Sequence, residues 1–197
     1  LAPTLLPQML PIGDVEEDEL FLTGFDQSSA LATLAPAISR AERLLLFTKI
    51  IMAKPIEYGI EKLAANQACY LAQELANLID TVHNQGLSFD RLTDLVPEEY
   101  AVHWQETLKF LQIITEYWPQ ILAERQLIDA SDRRNRLLRA QIDLWRQNPP
   151  VKRIVAAGTT AAFPLMKELV KTVLSLEKGE LYLAGIDKFL EDEAWEK

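Results

Sequence analysis

Apolar residues recur every three or four positions through the middle of the chain, and this spacing predicts a helical subdomain over residues 31–148. Its first helix starts at Ser39, which opens a capping box, and ends before Pro55. The second helix closes at Gly86, a residue typical of the position just after a helix. Ahead of this subdomain, residues 1–30 are punctuated by Pro and Gly, which predicts an extended lead segment.

The sequence of the second half of the subdomain predicts three more helices. Pro97 and the two acids after it are typical of the first turn of a helix, and the apolar face of that helix runs to Trp118. Pro119 then starts another helix. The last one spans about Ser131 to Gln147 and stops before two consecutive prolines.

Residues 149–197 change to the pattern of a small β-α-β element with a closing acidic helix. A short apolar run precedes a glycine turn, a helix follows, and a second apolar run comes after the next glycine. Two strands joined by one helix predict a right-handed parallel crossover, so the expected fold class is mainly α with a small parallel sheet. The parts in chain order are strand Val151–Ala157, turn Gly158-Thr159-Thr160, a helix with Pro164 in its first turn, Gly179 at its end, and strand Leu181–Ala184.

These motifs resemble a known family. An apolar strand, an Ala-Gly-Thr-Thr turn, a proline in the next helix and a second strand ending in Gly-Ile-Asp are similar to the AddB subunit of bacterial double-strand-break-repair helicase-nucleases, in its alphaproteobacterial form. The resemblance covers nearly the whole chain, and its motifs occur in the family's order. The matching segments are Pro11–Leu20, Leu95–Glu99, His103-Trp104-Gln105 with Trp118-Pro119, Asp129–Arg134, Ala157–Thr160 and Gly185-Ile186-Asp187.

The resemblance implies that the β-α-β element belongs to the first RecA-like core lobe of a helicase-like domain, into which the helical subdomain is inserted. Such a lobe needs more strands, and AddB subunits are several times longer, so a chain that starts at Leu1 is expected to be a fragment. The implied function is that of a non-catalytic, ATP-inactive scaffold. It would guide DNA and bind the AddA motor during resection of double-strand breaks, with the nuclease centre in a distant C-terminal domain.

Charge modifies this picture, because the net charge of −9 opposes a free-standing nucleic-acid binder. The charge is unevenly spread: residues 1–39 contain no Lys or Arg, whereas residues 133–153 form a basic stripe whose single acid is Asp143. On a helix this acid shares a face with its basic neighbours, so a DNA path and an internally paired, solvated face are both open. The candidate DNA contacts of the basic stripe are Arg133, Arg136, Arg139 and Arg146.

A second candidate site is the turn Gly158-Thr159-Thr160, which could hold a phosphate at a helix N-terminus. The alternative is that one of its threonines only caps that helix. For the acids of residues 14–19 a solvated loop is favoured over a metal site, because they have no fixed ligand spacing. His83 and His103 lack His or Cys companions at ligand spacing, which favours surface or helix-end roles.

Motifs for catalysis and membrane insertion are missing from the sequence. No Gly precedes a Lys, which excludes a Walker A loop, and no Lys has an acid two residues before it, as a restriction-type nuclease motif requires. The single Cys69 excludes a disulfide and a cysteine-built metal site within the chain, and no cofactor is expected. No run of 18 apolar residues exists, so we expect no membrane contact and a cytoplasmic location.

Two functions other than the AddB-like scaffold stay open on these residues. One is a stand-alone helical module that binds a protein through its acidic surface. The other is a binder of phosphate ligands at the turn from Gly158 to Thr160.

Overall fold

The computed structural model describes residue 9 and residues 34–53, 63–89 and 101–183, except for the side chains of residues 101–106. Within these ranges the chain is mainly helical, with a small parallel sheet, as the sequence predicts. Several sequence-based expectations lie outside the described residues. They are the lead segment 1–30 apart from Met9, the acids of residues 14–19, the first turn at Pro97, the side chains of His103 and Trp104, Gly185-Ile186-Asp187 and the closing acidic helix.

The helical part has bounds close to the predicted ones. Its elements are α1 Arg40–Ala53, α2 Ala65–Gln85, α3 Ala101–Gln112, a π-helical turn Ile113–Tyr117, α4 Trp118–Arg125 and α5 Ala130–Gln147.

Local signals fix the helix ends. The Ser39 hydroxyl accepts a hydrogen bond from the backbone N–H of Glu42 at 3.2 Å, which caps α1. Gly86 ends α2 with φ +66°, and the next N–H, of Leu87, bonds back to the Val82 carbonyl at 3.0 Å. This left-handed turn satisfies carbonyls that the helix end would leave open.

Pro119 explains the π-helical turn between α3 and α4. Proline has no N–H to donate to the carbonyl four residues earlier, and its ring would collide with that carbonyl in an α-helix. The backbone widens before it, so that the Trp118 N–H bonds to the Ile113 carbonyl, five residues back. The chain therefore stays helical through the proline, and α4 begins at Trp118, next to the Pro119 start that the sequence predicts.

The main core lies where α1 packs on α2 and on the π-helical turn. Phe47 and Ile51 of α1 are fully buried, and small residues on α2 let the two helices approach closely. The Phe47 ring lies 4.2 Å from the Trp118 ring, centroid to centroid, with the planes inclined by 40°. The small residues of α2 in this contact are Ala68, Ala72 and Ala76.

The helical spacing of apolar residues also predicts that Leu45 on α1, and Tyr70 and Leu78 on α2, belong to apolar faces, but the structure exposes all three. Their positions satisfy a helical period but lie beside the buried stripe. Alanines occupy the positions that face α1, since only small side chains fit there. Prediction from apolar spacing alone was therefore wrong for these three residues.

The β-α-β element consists of β1 Ile154–Ala157, α6 Pro164–Ser175 and β2 Gly179–Tyr182. The strands pair in parallel, as predicted, with Ile154 opposite Gly179. The last strand starts earlier than expected, because Gly179 belongs to β2 and the helix has already ended. A second buried cluster joins the element to the helical part through α5 and α6: Leu138, Ile142, Leu165 and Leu169.

Candidate functional site

A buried arginine on α1 organises a polar cleft between α1, α2 and the start of α5. The Arg43 guanidinium lies 2.9 Å from the Asp80 carboxylate and donates to the Ala76 carbonyl at 3.0 Å, both on α2. Its Nε lies 3.2 Å from Oδ1 of Asp129. The same guanidinium lies over the Phe47 ring, 5.9 Å from its centroid. The charge of Arg43 therefore interacts with two carboxylates and with an aromatic face.

Asp129 is the second buried member of this network. It is 4% exposed, and its Oδ2 accepts a hydrogen bond from the indole N–H of Trp118 at 2.9 Å. Burial raises the pKa of the Asp129 carboxyl, and the opposing effects of Arg43 and of the Trp118 hydrogen bond are smaller. The contact between Arg43 Nε and Asp129 Oδ1 is ionic, without hydrogen-bond geometry.

The cleft itself has a volume of about 490 Å³, and its lining surface is polar and apolar in nearly equal parts. Its floor is Arg43, and Asp80 and Asn84 form the wall on α2. Arg134 reaches it from α5 and donates a hydrogen bond to the Asn84 side chain. The remaining lining residues are Ile38, Arg40, Leu44, Gln73, Ala76, Asn77, Ala130 and Ser131.

His83 closes one end of this network, in agreement with the helix-end role predicted for it. Its Nδ1 lies 2.9 Å from the Ser131 hydroxyl, and its carbonyl accepts a hydrogen bond from the Asn135 side chain at 2.8 Å. These bonds fasten the C-terminal end of α2 to the first turns of α5. The geometry of the cleft is therefore set by side chains far apart in sequence.

The predicted phosphate turn does not open a helix. Gly158 has φ +69° and follows β1 directly, but α6 begins only at Pro164, with Phe163 at its N-cap position. The Thr159 hydroxyl accepts from the N–H of Ala161, which itself has φ +49°. We expected Gly158-Thr159-Thr160 to be either a phosphate site at a helix N-terminus or a simple helix cap. Both expectations assumed that a helix starts at this turn, and it does not.

The basic stripe is divided by the structure. Arg133 is buried, and its Nε donates to the carbonyl of Ala35 at 3.0 Å, so it is not part of an exposed face. Arg136, Arg139 and Arg146 are exposed on the same side of α5. The expectation that all four arginines are exposed is therefore wrong for Arg133.

Acids neutralise most of the exposed part of the stripe. Arg136 makes two hydrogen bonds to Asp132, at 2.9 and 3.1 Å. Arg146 lies 2.9 Å from Glu168 of α6 and 4.0 Å from Asp143, the acid expected to pair within the stripe. Arg139 makes no hydrogen bond or ion pair with any residue in the described ranges.

Two further expectations concern single side chains. Trp118 is buried at the core, as predicted. The sequence favours a buried Cys69 over a nucleophilic one, and the structure places this side chain half-buried on α2. None of the helices in residues 34–53, 63–89 and 101–183 has the length and apolar character needed to cross a membrane.

Sequence reasoning missed the Arg43 and Asp129 network. One signal was available, since Arg43 precedes Phe47 and Ile51 at intervals of four and so lies on the buried face of α1. A charged residue at such a position needs a buried partner. Its partners lie 37 and 86 residues away along the sequence, at Asp80 and Asp129, and the sequence does not point to them.

Comparison of the chain with models of known protein families found no match, and comparisons with curated proteins and with solved structures found none either.

Proposed function

We propose that the chain is a non-catalytic, helicase-like scaffold segment of an AddB-type DNA repair subunit. In that role it guides DNA and binds the AddA motor during resection of double-strand breaks. The motif resemblance is the source of this proposal. A mainly helical part followed by a parallel β-α-β element is the architecture that the resemblance implies, and the described residues have both.

The strongest structural support for this proposal is the exposed face of the small sheet. Val155 and Tyr182 point away from α6, and they are 47% and 56% exposed. Parallel sheets occur almost only with both faces covered, because their strands are apolar on both sides. Two parallel strands of four residues each are also too few to form an independent sheet. The element therefore fits a place in a larger sheet, supplied by the rest of a longer polypeptide.

The divided basic stripe favours scaffolding over a strong DNA contact in this segment. With Arg133 buried and two of the exposed arginines paired to acids, Arg139 is the arginine of the stripe best placed to contact a phosphate. Single phosphate contacts add little to affinity by themselves. The segment's share of DNA guidance is therefore small, and structural support of the larger lobe is its main role.

The test compares one substitution in two settings, the chain alone and the longer subunit. Val155→Asp should change the free energy of unfolding of the chain alone by under about 0.5 kcal/mol, because the residue is half-exposed there. In the longer subunit it should cost about 1.5–3 kcal/mol, the value of a buried apolar side chain. Urea unfolding measures both, and Leu45→Asp on α1 is the control for an exposed apolar residue.

Equal small effects of Val155→Asp in both settings would contradict the proposal and favour the stand-alone helical module. The coding sequence around this segment supplies a further check. An acid-x-Lys nuclease motif downstream and a neighbouring gene for a Walker-type helicase agree with an AddB-type subunit, whereas a stop codon directly after Lys197 disagrees with it.

A further inference from the structure

The β-α-β element carries a surplus of positive charge, although the chain as a whole is acidic. Residues 151–183 contain five Lys and Arg side chains against three Glu, in a chain whose net charge is −9. Two of these acids are already engaged, because Glu168 lies 2.9 Å from Arg146 of α5 and Glu180 pairs with Arg153. The charge that remains belongs mainly to lysines.

Two of the lysines lie on the outer side of α6. Lys167 and Lys171 are exposed and one turn apart, opposite the buried side of the helix. Lys178 follows the helix end, and its Nζ donates a hydrogen bond to the carbonyl of Val151 at 3.2 Å, which brings it beside the exposed Lys152. We call these four exposed side chains the lysine face: Lys152, Lys167, Lys171 and Lys178.

Within the described part of the chain, no acid neutralises the lysine face. Lys152, Lys167 and Lys171 make no hydrogen bond or ion pair there, and Glu177, the third acid of the element, pairs with none of them. Like charges four residues apart on a helix repel, so Lys171 following Lys167 lowers the stability of α6. Exposed arginines elsewhere, such as Arg125, pair with an acid. The lysine face therefore fits an anionic partner that relieves this repulsion.

From this arrangement we propose that the lysine face lies against the phosphate backbone of DNA. It rests on the AddB-type role, since DNA is the anion that the proposed complex handles. Four residues of a helix rise about 6 Å, so Lys167 and Lys171 present two flexible ammonium groups in a row along α6. Ammonium groups bind phosphates as point charges and read no bases, so the contact is independent of DNA sequence. It adds about two phosphate contacts from α6, a small share of what a DNA channel needs.

The test is a salt titration of DNA affinity with the two-subunit complex that we propose. Replacing both Lys167 and Lys171 by Gln should flatten the dependence of log affinity on log salt by about two, equally on DNAs of different sequence. Replacing both by Arg keeps the charges and should keep the wild-type slope. The matched control replaces Lys49 of α1 and Lys109 of α3 by Gln, which removes two exposed lysines elsewhere, and should leave the slope unchanged.

Chemical footprinting of lysines gives a readout that does not depend on affinity. In the wild-type complex, DNA should slow the acetylation of Lys167 and Lys171 severalfold, while the acetylation of Lys49 and Lys109 stays unchanged. Mass spectrometry measures the four rates. Circular dichroism should show unchanged helicity in the Gln variants, because substitutions of exposed surface residues alter stability little.

A wild-type salt slope in the Lys167→Gln, Lys171→Gln variant, or an equal flattening in the control variant, would overturn the DNA contact and leave the scaffold role in place. Unprotected Lys167 and Lys171 in the footprint would overturn it as well. Weaker binding of the motor subunit with an unchanged salt slope would assign the lysine face to a protein surface instead of DNA. A wild-type complex that does not form, or does not bind DNA, would count against the AddB-type role itself, and the DNA contact would fall with it.

Discussion

At the level of single residues, Arg43 and Asp129 hold together elements that are distant in sequence. Arg43 lies on α1, and its carboxylate partners lie on α2 and at the start of α5. The Trp118 indole, which donates a hydrogen bond to Asp129, lies on α4. A buried ion pair adds little net stability compared with apolar residues of the same shape. It does fix the relative position of the groups it joins, because leaving either charge alone is costly.

Removing Arg43 should therefore destabilise the fold strongly. We expect Arg43→Met to cost about 3–5 kcal/mol, since Asp129 would stay buried without its cation. Arg43→Met combined with Asp129→Asn should cost less than the sum of the two single changes, because no unpaired charge is then left. Urea unfolding gives the three values. Arg125→Ala, which breaks the exposed pair with Glu42, is the control and should cost under about 1 kcal/mol.

The raised pKa of Asp129 predicts a pH dependence with a definite sign. The folded carboxyl keeps its proton to higher pH than the unfolded one, so folding takes up a proton in the window between the two pKa values. The contribution of Asp129 to the free energy of unfolding is fully present below the ordinary pKa of an aspartate. It is lost as the pH rises through the raised pKa of the folded protein. The free energy of unfolding of the wild type minus that of Asp129→Asn should therefore shrink from pH 4 to pH 7. A difference that stays constant, or grows, contradicts the raised pKa.

At the level of elements, the β-α-β connection depends on one glycine. A Cβ atom on Gly179 would lie 1.7 Å from the carbonyl oxygen of Val173 in α6, so the strand can follow the helix this closely only without a side chain. Gly179→Ala should cost about 1–3 kcal/mol or more, as forced overpacking does. Gly86 differs, since it has open space around it but a left-handed φ of +66°.

Substitution by asparagine distinguishes a glycine needed for its left-handed φ from a glycine needed for its lack of a side chain. Asparagine tolerates the left-handed conformation, but its side chain does not relieve a steric collision. Gly86→Asn should be milder than Gly86→Ala, whereas Gly179→Asn should be at least as damaging as Gly179→Ala. Chemical unfolding of the four variants makes the comparison. A mild Gly179→Asn would show that the helix end can move away, contrary to this account.

The elements also show what the sequence could predict. Helix ends at Ser39, Gly86 and Pro149 were predictable because capping, left-handed turns and prolines act within a few residues. The start of α6 was not, since the chain turns through Ala161 at φ +49°, a residue that gives no turn signal. Its actual start, Pro164, is a favoured first helical residue that was predicted to lie within the first turn.

The cleft and the burial of Arg133 were beyond sequence reasoning for a different reason. Arg133 donates a hydrogen bond to the carbonyl of Ala35, which is 98 residues away in the sequence. Arg43 and Asp129, which form an ion pair, are 86 residues apart. Spacing along one helix shows which residues share a face, but not which face another segment covers. The parallel pairing of the two strands was predictable because one helix between two short strands allows few alternatives.

At the level of the whole molecule, the exposed part of the basic stripe is a cationic region on an acidic chain. It consists of Arg136, Arg139 and Arg146. In the stripe, acids from α5 and α6 already pair with two of the three arginines. Long-range attraction of DNA by this segment alone is therefore weak, since its net charge of −9 repels phosphate.

Within the two-subunit complex that we propose, the stripe can still be tested as a DNA path. Replacing Arg136 and Arg139 by Ala should weaken DNA binding without much dependence on sequence, and should flatten the dependence of log affinity on log salt by about one per lost phosphate contact. Because Arg136 is paired with Asp132, we expect a change near one rather than two. The measurement is a salt titration of affinity, with helicity checked by circular dichroism.

Two further variants make this comparison specific. Arg125→Ala, at an exposed and paired arginine on α4, removes the same charge elsewhere and should leave the slope unchanged. Arg133→Ala should act differently from the stripe variants, by lowering stability through the lost bond to Ala35 while the salt slope is unaffected. If the Arg136 and Arg139 variant gives the wild-type slope and affinity, the stripe is a solvated face. In the proposed AddB-type role, the contribution of this segment would then come from its sheet and from contacts with the motor subunit.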